Sequence, residues 1–264
     1  MNDVSNNVTG PSLSILVVDD DELNQRMMLL LLKRDGHAVE CASNGLEAFE
    51  AVKSQAYDMI LMDLQMPVMD GVEASRRIRE WESEGAHIFI VALTASYLPE
   101  RGAELFEAGI DNYMPKPFDV HHLRNILQYG IENRRFHQSK ESDQSEIIVI
   151  PVDQEFDFQM GIQRVGGDKE TYKELLGDFI NELPEKVENI RSYYREKDQD
   201  ALSRAAHNLK GVSANLGALQ LSEHAGRLEK QVSESYTETI ESLINDLSVS
   251  AVKLIENTAS FLAE

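Results

Sequence analysis

The sequence predicts two folded units. The first is an α/β unit on a doubly wound, five-stranded parallel sheet; the second is an all-α antiparallel helical bundle. Two observations carry this. Over the first half, short apolar runs alternate with helical stretches, the pattern of a parallel sheet covered on both faces. Over the second half, glycine and proline thin out and apolar residues recur at three- and four-residue spacing. Between them QSKESDQSE, residues 138–146, is polar and aperiodic and reads as a linker. The expected boundaries are 11–135 for the α/β unit, 136–156 for the linker and 157–264 for the bundle.

The elements follow in order. Leu13 to Val18 is a β-rich run that ends in Asp19, Asp20 and Asp21. A helix then runs to about Arg34 and stops at Gly36. Ala38 to Ala42 is a short strand, and Asn44 opens a helix through Lys53. Tyr57 to Met62 is an apolar run long enough for one buried strand, with Asp63 at its end and the turn-rich LQMPVMDG after it. Gly71 to about Glu82 is helical. His87 to Leu93 is a fourth strand, followed by Thr94. Pro99 to Ala108 is helical, and Ile110 to Met114 is a fifth strand that leads into Pro115, Lys116 and Pro117. Asp119 opens a last helix to Tyr129 or beyond. In the second half, helices are expected over Phe158 to Val165, from Asp168 onward with a kink or fresh start at Pro184, from Asp198 to about Leu216, over Leu219 to Gln231 and over Thr237 to about Ala259. The apolar run Ile147 to Val152 has no assignable partner.

Composition narrows the function. Lys+Arg total 25 against 46 Asp+Glu, a net charge of −21. Such a surface repels phosphate backbones, so nucleic acid is not an expected partner. Cys41 is the lone cysteine, which excludes an internal disulfide and a thiolate metal cluster. The start, MNDVSNNVTGPS, lacks the basic and apolar regions of a signal peptide, and no apolar run reaches the roughly 18 residues of a membrane span. A cytoplasmic protein without a membrane partner is the expectation. The chain is either free-standing, which the polar start at Met1 favours, or the tail of a longer hybrid kinase.

The polar residues that follow the strands carry the chemistry. Asp19 and Asp20 follow strand 1, Asp63 strand 3, Thr94 strand 4 and Lys116 strand 5. In a parallel sheet these carboxyl ends share one edge, where open α/β sheets bind ligands. Each residue could instead cap the next helix, as Asp63 alone could. Taken together, three close carboxylates call for a cation, and all-oxygen ligation suits Mg²⁺. Lys116 supplies a point charge for a phosphoryl oxygen and Thr94 a hydroxyl, leaving Asp63 as a carboxylate nucleophile.

The stretches ILVVDDDELNQ, MDLQMPVMDG, VALTA and YMPKPF resemble the signature segments of response-regulator receiver domains, in order over residues 13 to about 130. The resemblance implies a flavodoxin-like fold, Asp63 as phosphoacceptor, and Asp19 and Asp20 as the acid pair, Asp20 being the more direct Mg²⁺ ligand. It implies the Gln65 carbonyl as a further ligand, Thr94 and Tyr113 as switch residues and Lys116 as the phosphate-binding lysine. No catalytic position departs from the pattern. In the first helix Leu29 and Leu30 fall off the stripe of Met27, Met28, Leu31 and Leu32. Either the buried face is wide or they form a patch for a partner helix.

In the bundle, the helix with RAAHNLKGVSANLG puts Leu202, Ala205, Ala206, Leu209, Val212 and Leu216 on one face. His207 lies roughly opposite and is expected to be exposed, with Ser203, Lys210, Gly211 and Ala214 around it. Gly211 is costly inside a helix, by about 1 kcal/mol against Ala. A glycine and a lysine one turn from the imidazole leave room and charge for a phosphoryl group; the other reading is a solvated surface histidine. AHNLKGVSANLGA and VGGDKETYKELLGDF resemble histidine phosphotransfer (HPt) domains. That resemblance implies His207 as the phosphorylated histidine, supported by Lys210 and Gly211. His121, His122, His137 and His224 have no such setting.

The two resemblances imply a two-component phosphorelay protein, with Mg²⁺-dependent transfer from a phospho-His donor to Asp63 and exchange between receiver aspartates and His207. They imply a sensor histidine kinase upstream, simple or hybrid, and a further receiver downstream. No stretch resembles an ATP-binding kinase domain. The alternatives are a phosphorylation-dependent interaction module or phosphate sink whose domains never exchange phosphate, and a phosphatase, which usually needs a second acid near Asp63.

Overall fold

The computed structural model describes residues 12–82, 87–94, 102–133, 156–234 and 239–263. The linker at 138–146, the run at 147–152 and the expected helix starts at Pro99 and Thr237 lie outside them. The chain divides into two compact units.

The first unit alternates strands and helices: β1 Ser14–Val18, α1 Glu22–Arg34, β2 Ala38–Ala42, α2 Gly45–Ser54, β3 Met59–Asp63, α3 Gly71–Trp81, β4 Phe89–Thr94, α4 Gly102–Glu107, β5 Asn112–Pro115 and α5 Val120–Asn133. The strands form one parallel sheet in the order β2-β1-β3-β4-β5. The order reverses between β1 and β3, the switch point at which open sheets present a crevice. β3 and β4 are buried along their whole length, which is why they read as continuous apolar runs. β2 is an outer strand, as its lack of a polar terminal residue predicts, and most of it is exposed.

Strands 3, 4 and 5 each begin two residues later than predicted, because side chains occupy their entries. The Asp58 carboxylate accepts the Ser14 amide at 2.8 Å, and the Asp111 carboxylate accepts the Ile90 amide at 2.7 Å. Tyr57 donates its hydroxyl to Glu40 at 2.9 Å rather than extending the strand. In α1, Leu29 and Leu30 are half-buried, between the two readings of that helix.

The second unit is helical: α6 Phe158–Arg164, α7 Lys169–Glu196, α8 Gln199–Asn215, α9 Leu219–Glu234 and α10 Thr239–Ala263. Asp157, Asp168 and Asp198 cap α6, α7 and α8 through their carboxylates. Pro184 does not start a new helix: α7 runs through it unbroken, with Leu183 and Val187 buried on either side. Packing of that apolar stripe outweighs the one backbone hydrogen bond that proline cannot make. Leu175, Leu176, Phe179, Leu202, Leu209, Leu228, Val232 and Leu247 build the core. Among the described residues, no helix is long and apolar enough to cross a membrane.

The short helix α6 closes the end of α8. Gly161 lies where a Cβ would meet the Tyr172 ring at 2.4 Å, and Gly217 takes a positive φ of 79° against the Asp157 carbonyl. The Arg164 guanidinium donates to the Ala214 carbonyl, and the Tyr172 hydroxyl donates to the Leu216 carbonyl at 2.7 Å. Burial pushes the Tyr172 phenol well above its ordinary range, so it stays a donor. Tyr172→Phe leaves a buried carbonyl unmatched. It should cost roughly 1–3 kcal/mol, read as a lower urea midpoint for the helical unit with an unchanged slope.

Candidate functional site

The first cluster sits at the carboxyl edge of the sheet. In the ladder Val18 pairs with Met62, so Asp19 and Asp63 leave β1 and β3 side by side. Asp19, Asp20 and Asp63 each offer a carboxylate oxygen, and these atoms lie within 4.8 Å of one another. Asp19 and Asp63 are buried and Asp20 is half-buried. Asp19 is held by the Asp21 amide at 3.0 Å and the Asn24 side-chain amide at 3.2 Å. The Gln25 side chain ties the Asp19 carbonyl to that of Ala42. Asp63 accepts the Gln65 amide at 3.2 Å.

The capping alternative falls away for these acids. Asp21, not Asp19 or Asp20, accepts the first-turn amides of α1. Asp70, not Asp63, accepts the Glu73 amide of α3. Gly71 is required beside Asp63, because a Cβ there would stand 2.2 Å from the Asp63 carbonyl oxygen. In the same loop Val68 sits at φ 69°, closed by a Met69-to-Pro67 hydrogen bond of 2.7 Å. For a β-branched residue that is a strained turn next to the cluster.

Thr94 is the last residue of β4 and is buried; its register partner is Pro115, the last of β5. Lys116 follows directly, with a cis bond to Pro117. Tyr113 is half-buried on β5 and packs against the apolar core.

The second cluster is on α8 and α9. The predicted apolar face of α8 is buried, apart from half-buried Ala205. The expected exposure of His207 is overturned: the residue is 5% exposed. The wheel of α8 alone does not register α9, which runs antiparallel beside it and carries Glu229. Glu229 Oε1 lies 2.7 Å from His207 Nδ1, and its Oε2 accepts from Lys210 Nζ at 3.1 Å. Gly211 is likewise buried. Glu229 was missed because it lies 22 residues along the chain on another helix, where it reads as an ordinary polar position. The available signal was Ser222, Gly226 and Glu229 on one face of α9, with a glycine in mid-helix.

The response regulator receiver domain profile matches residues 15–128, and the Hpt domain profile matches residues 174–253. The chain carries a receiver domain followed by an Hpt domain. The sensor protein GacS of Pseudomonas syringae pv. syringae is 31% identical over 254 residues, covering 93% of this chain and 28% of GacS. The signal transduction histidine-protein kinase BarA of Escherichia coli K12 is 26% identical, covering 84% of this chain and 24% of BarA. The chain thus spans about a quarter of the length of these curated relatives. Among solved structures, the receiver domain of sensor histidine kinase PA1611 from Pseudomonas aeruginosa PAO1, with a magnesium ion coordinated in its active-site cleft, is 36% identical. It covers 46% of this chain and 99% of that one, with a TM-score of 0.43. Neither match includes α6, which lies between the end of the receiver match and the start of the Hpt match.

The Hpt cluster makes a prediction about acid. Burial alone would raise the Glu229 carboxyl, but the hydrogen bonds and charges of His207 and Lys210 hold it below the ordinary value of 4.5. A depressed carboxyl stabilises the fold above its unfolded value, and that contribution is lost as pH falls through the folded value. The stability difference between wild type and Glu229→Gln, present just above pH 4.5, should therefore close as the pH drops below it. Thermal melts of the two proteins across that range read this directly.

Proposed function

We propose that the chain is a phosphorelay protein, in which Asp63 accepts a phosphoryl group from a phospho-His donor and His207 carries phosphoryl groups to or from receiver aspartates. The observation that carries the reading is the cluster of Asp19, Asp20 and Asp63, with carboxylate oxygens within 4.8 Å of one another at the carboxyl edge of a parallel sheet. An all-carboxylate donor set of this kind fits a hard divalent cation, and Mg²⁺ takes one or two carboxylates plus waters and phosphoryl oxygens. Asp19, Asp20, Asp63 and the Gln65 carbonyl are the proposed ligands. When bound, the ion would offset the negative charge that gathers as phosphate meets carboxylate.

The chain's own residues do the rest. An Asp63 carboxylate oxygen attacks the phosphorus of the donor, and the phosphorus–nitrogen bond breaks with its electron pair leaving on the donor imidazole. Lys116 is proposed to hold a phosphoryl oxygen as a point charge. The Thr94 hydroxyl is proposed to donate to another, and Tyr113 to follow it as the second member of the switch. The acyl phosphate then passes its phosphoryl group to a histidine, here assigned to His207 with Lys210 and Gly211 beside it. GacS is named a sensor protein and BarA a signal transduction histidine-protein kinase. That supports a sensor histidine kinase, hybrid or simple, as the donor; a further receiver is proposed as the acceptor.

The relay is tested with a labelled phospho-His donor and a separate receiver as acceptor. Asp63→Asn should abolish loading of the receiver domain, and His207→Gln should abolish delivery to the acceptor while Asp63 still loads. Unchanged delivery from His207→Gln would overturn the relay reading. Removal of divalent cations with EDTA should stop loading of Asp63, and added Mg²⁺ should restore it; loading that persists in EDTA contradicts the assignment of the three carboxylates.

A further inference from the structure

We propose that Asn24 is a positioning residue for the divalent cation. Its side-chain amide sets the orientation of the Asp19 carboxylate, and with it the affinity of the acid cluster for Mg²⁺. This rests on the reading of Asp19, Asp20 and Asp63 as the cation's ligands.

Asn24 lies in the first turn of α1 and is 3% exposed. Asparagine is a poor helix former, and its side chain is costly to bury without partners. Capping does not account for it. Asp21 is the N-cap of α1, and its Oδ1 accepts the Leu23 and Asn24 amides at 3.0 and 3.2 Å. The Asn24 side chain turns back toward the sheet edge instead, where Nδ2 lies 3.2 Å from Asp19 Oδ1. An ionised carboxylate only accepts, so it is the amide nitrogen, not the amide oxygen, that faces Asp19.

Three residues close a ring of hydrogen bonds. The Asp21 amide donates to Asp19 Oδ1 at 3.0 Å, Asp21 Oδ1 accepts the Asn24 amide, and Asn24 Nδ2 returns to Asp19 Oδ1. One oxygen of Asp19 thus takes two donors from the start of α1, which restricts rotation of the carboxylate. The backbone of Asp19 is held separately. Its amide donates to the Ala42 carbonyl at 3.2 Å, and its carbonyl accepts from Gln25 Nε2 at 2.6 Å. Asn24 therefore acts on the carboxylate and not on the path of the chain.

The residue type suits a cation site. Mg²⁺ demands near-octahedral geometry at short distances, so a ligand that swings loses affinity. Groups that orient metal ligands typically change metal affinity by roughly 10–100-fold. A lysine or arginine in place of Asn24 would neutralise Asp19 and compete with the ion. An apolar residue would remove one of the two donors that orient a carboxylate lying within 4.8 Å of two others. A neutral amide orients the acid and adds no charge.

The test is titration of the full chain with MgCl₂ by isothermal calorimetry. The Kd for Mg²⁺ should rise about tenfold or more in Asn24→Leu, with Asn24→Ala as the second variant should the leucine not fold. Loading of Asp63 from a small acyl phosphate should fall at low Mg²⁺ and recover most of its rate at saturating Mg²⁺, because the three acids remain in place. Tyr57→Phe is the control for lost stability, since its hydroxyl bonds to Glu40 ahead of β3, at the opposite edge of the sheet. It should keep the wild-type Kd. A wild-type Kd in Asn24→Leu or Asn24→Ala, or an equal rise in Tyr57→Phe, overturns the proposal. If wild type itself takes up no Mg²⁺, the reading of the three carboxylates as a cation site has failed rather than the role of Asn24.

Discussion

Three carboxylates held with oxygens within 4.8 Å of one another resist being gathered. When ionised, each pair at about 5 Å repels by roughly 3 kcal/mol at an effective dielectric of about 20. The first unit is arranged so that the fold bears this repulsion. β1 and β3 are adjacent, parallel and in register, and the core beneath them is apolar and fully buried. The register fixes where the chain of Asp19 and that of Asp63 leave the sheet. The Asp21 amide and Asn24 hold one carboxylate from behind, the Gln65 amide holds another, and Gly71 lets the chain turn away past the Asp63 carbonyl. A site that concentrates negative charge in this way is suited to a divalent cation and to the oxygens of a phosphoryl group.

The second unit solves a different electrostatic problem. It gathers an imidazole, a carboxylate and an ammonium rather than three acids. One carboxylate, Glu229, is shared between His207 and Lys210. The carboxylate bonds the ring with one oxygen, and the Lys210 ammonium offsets its charge at the other. α8 supplies the imidazole and the ammonium three residues apart, and α9, running antiparallel, supplies the carboxylate. Tyr172 and Arg164 fix the far end of α8 through the Leu216 and Ala214 carbonyls, so the helix that carries His207 is secured at its terminus as well.

Much of this was legible in the sequence, for stated reasons. Buried parallel strands are apolar on both faces, so β1, β3 and β4 appear as short continuous runs, and residues that follow them fall on one edge wherever the strands are parallel. Asp19, Asp20 and Asp63 could be placed together on that ground. What was not legible involved partners distant in the chain. Asp58 and Asp111 delay the strand starts by bonding to amides of neighbouring strands. Pro184 reads as a break locally, yet the packed stripe on either side carries α7 through it. His207 was placed on an exposed face because a wheel treats its helix in isolation. Glu229, on the neighbouring helix, enters only through tertiary structure. Leu29 and Leu30 are half-buried, an outcome that neither reading of periodicity in α1 anticipated.

On the function proposed above, the fold gathers three carboxylates so that one of them, Asp63, can carry a phosphoryl group. The most direct measurement traps that group where it forms. The full chain is loaded with a small acyl-phosphate donor in Mg²⁺, reduced with borohydride and digested. Mass spectrometry then locates the homoserine left by reduction of an aspartyl phosphate. Homoserine is expected at position 63, present with Mg²⁺ and lost in EDTA. Homoserine at another acidic residue, or none at position 63 under conditions that phosphorylate the protein, would contradict it.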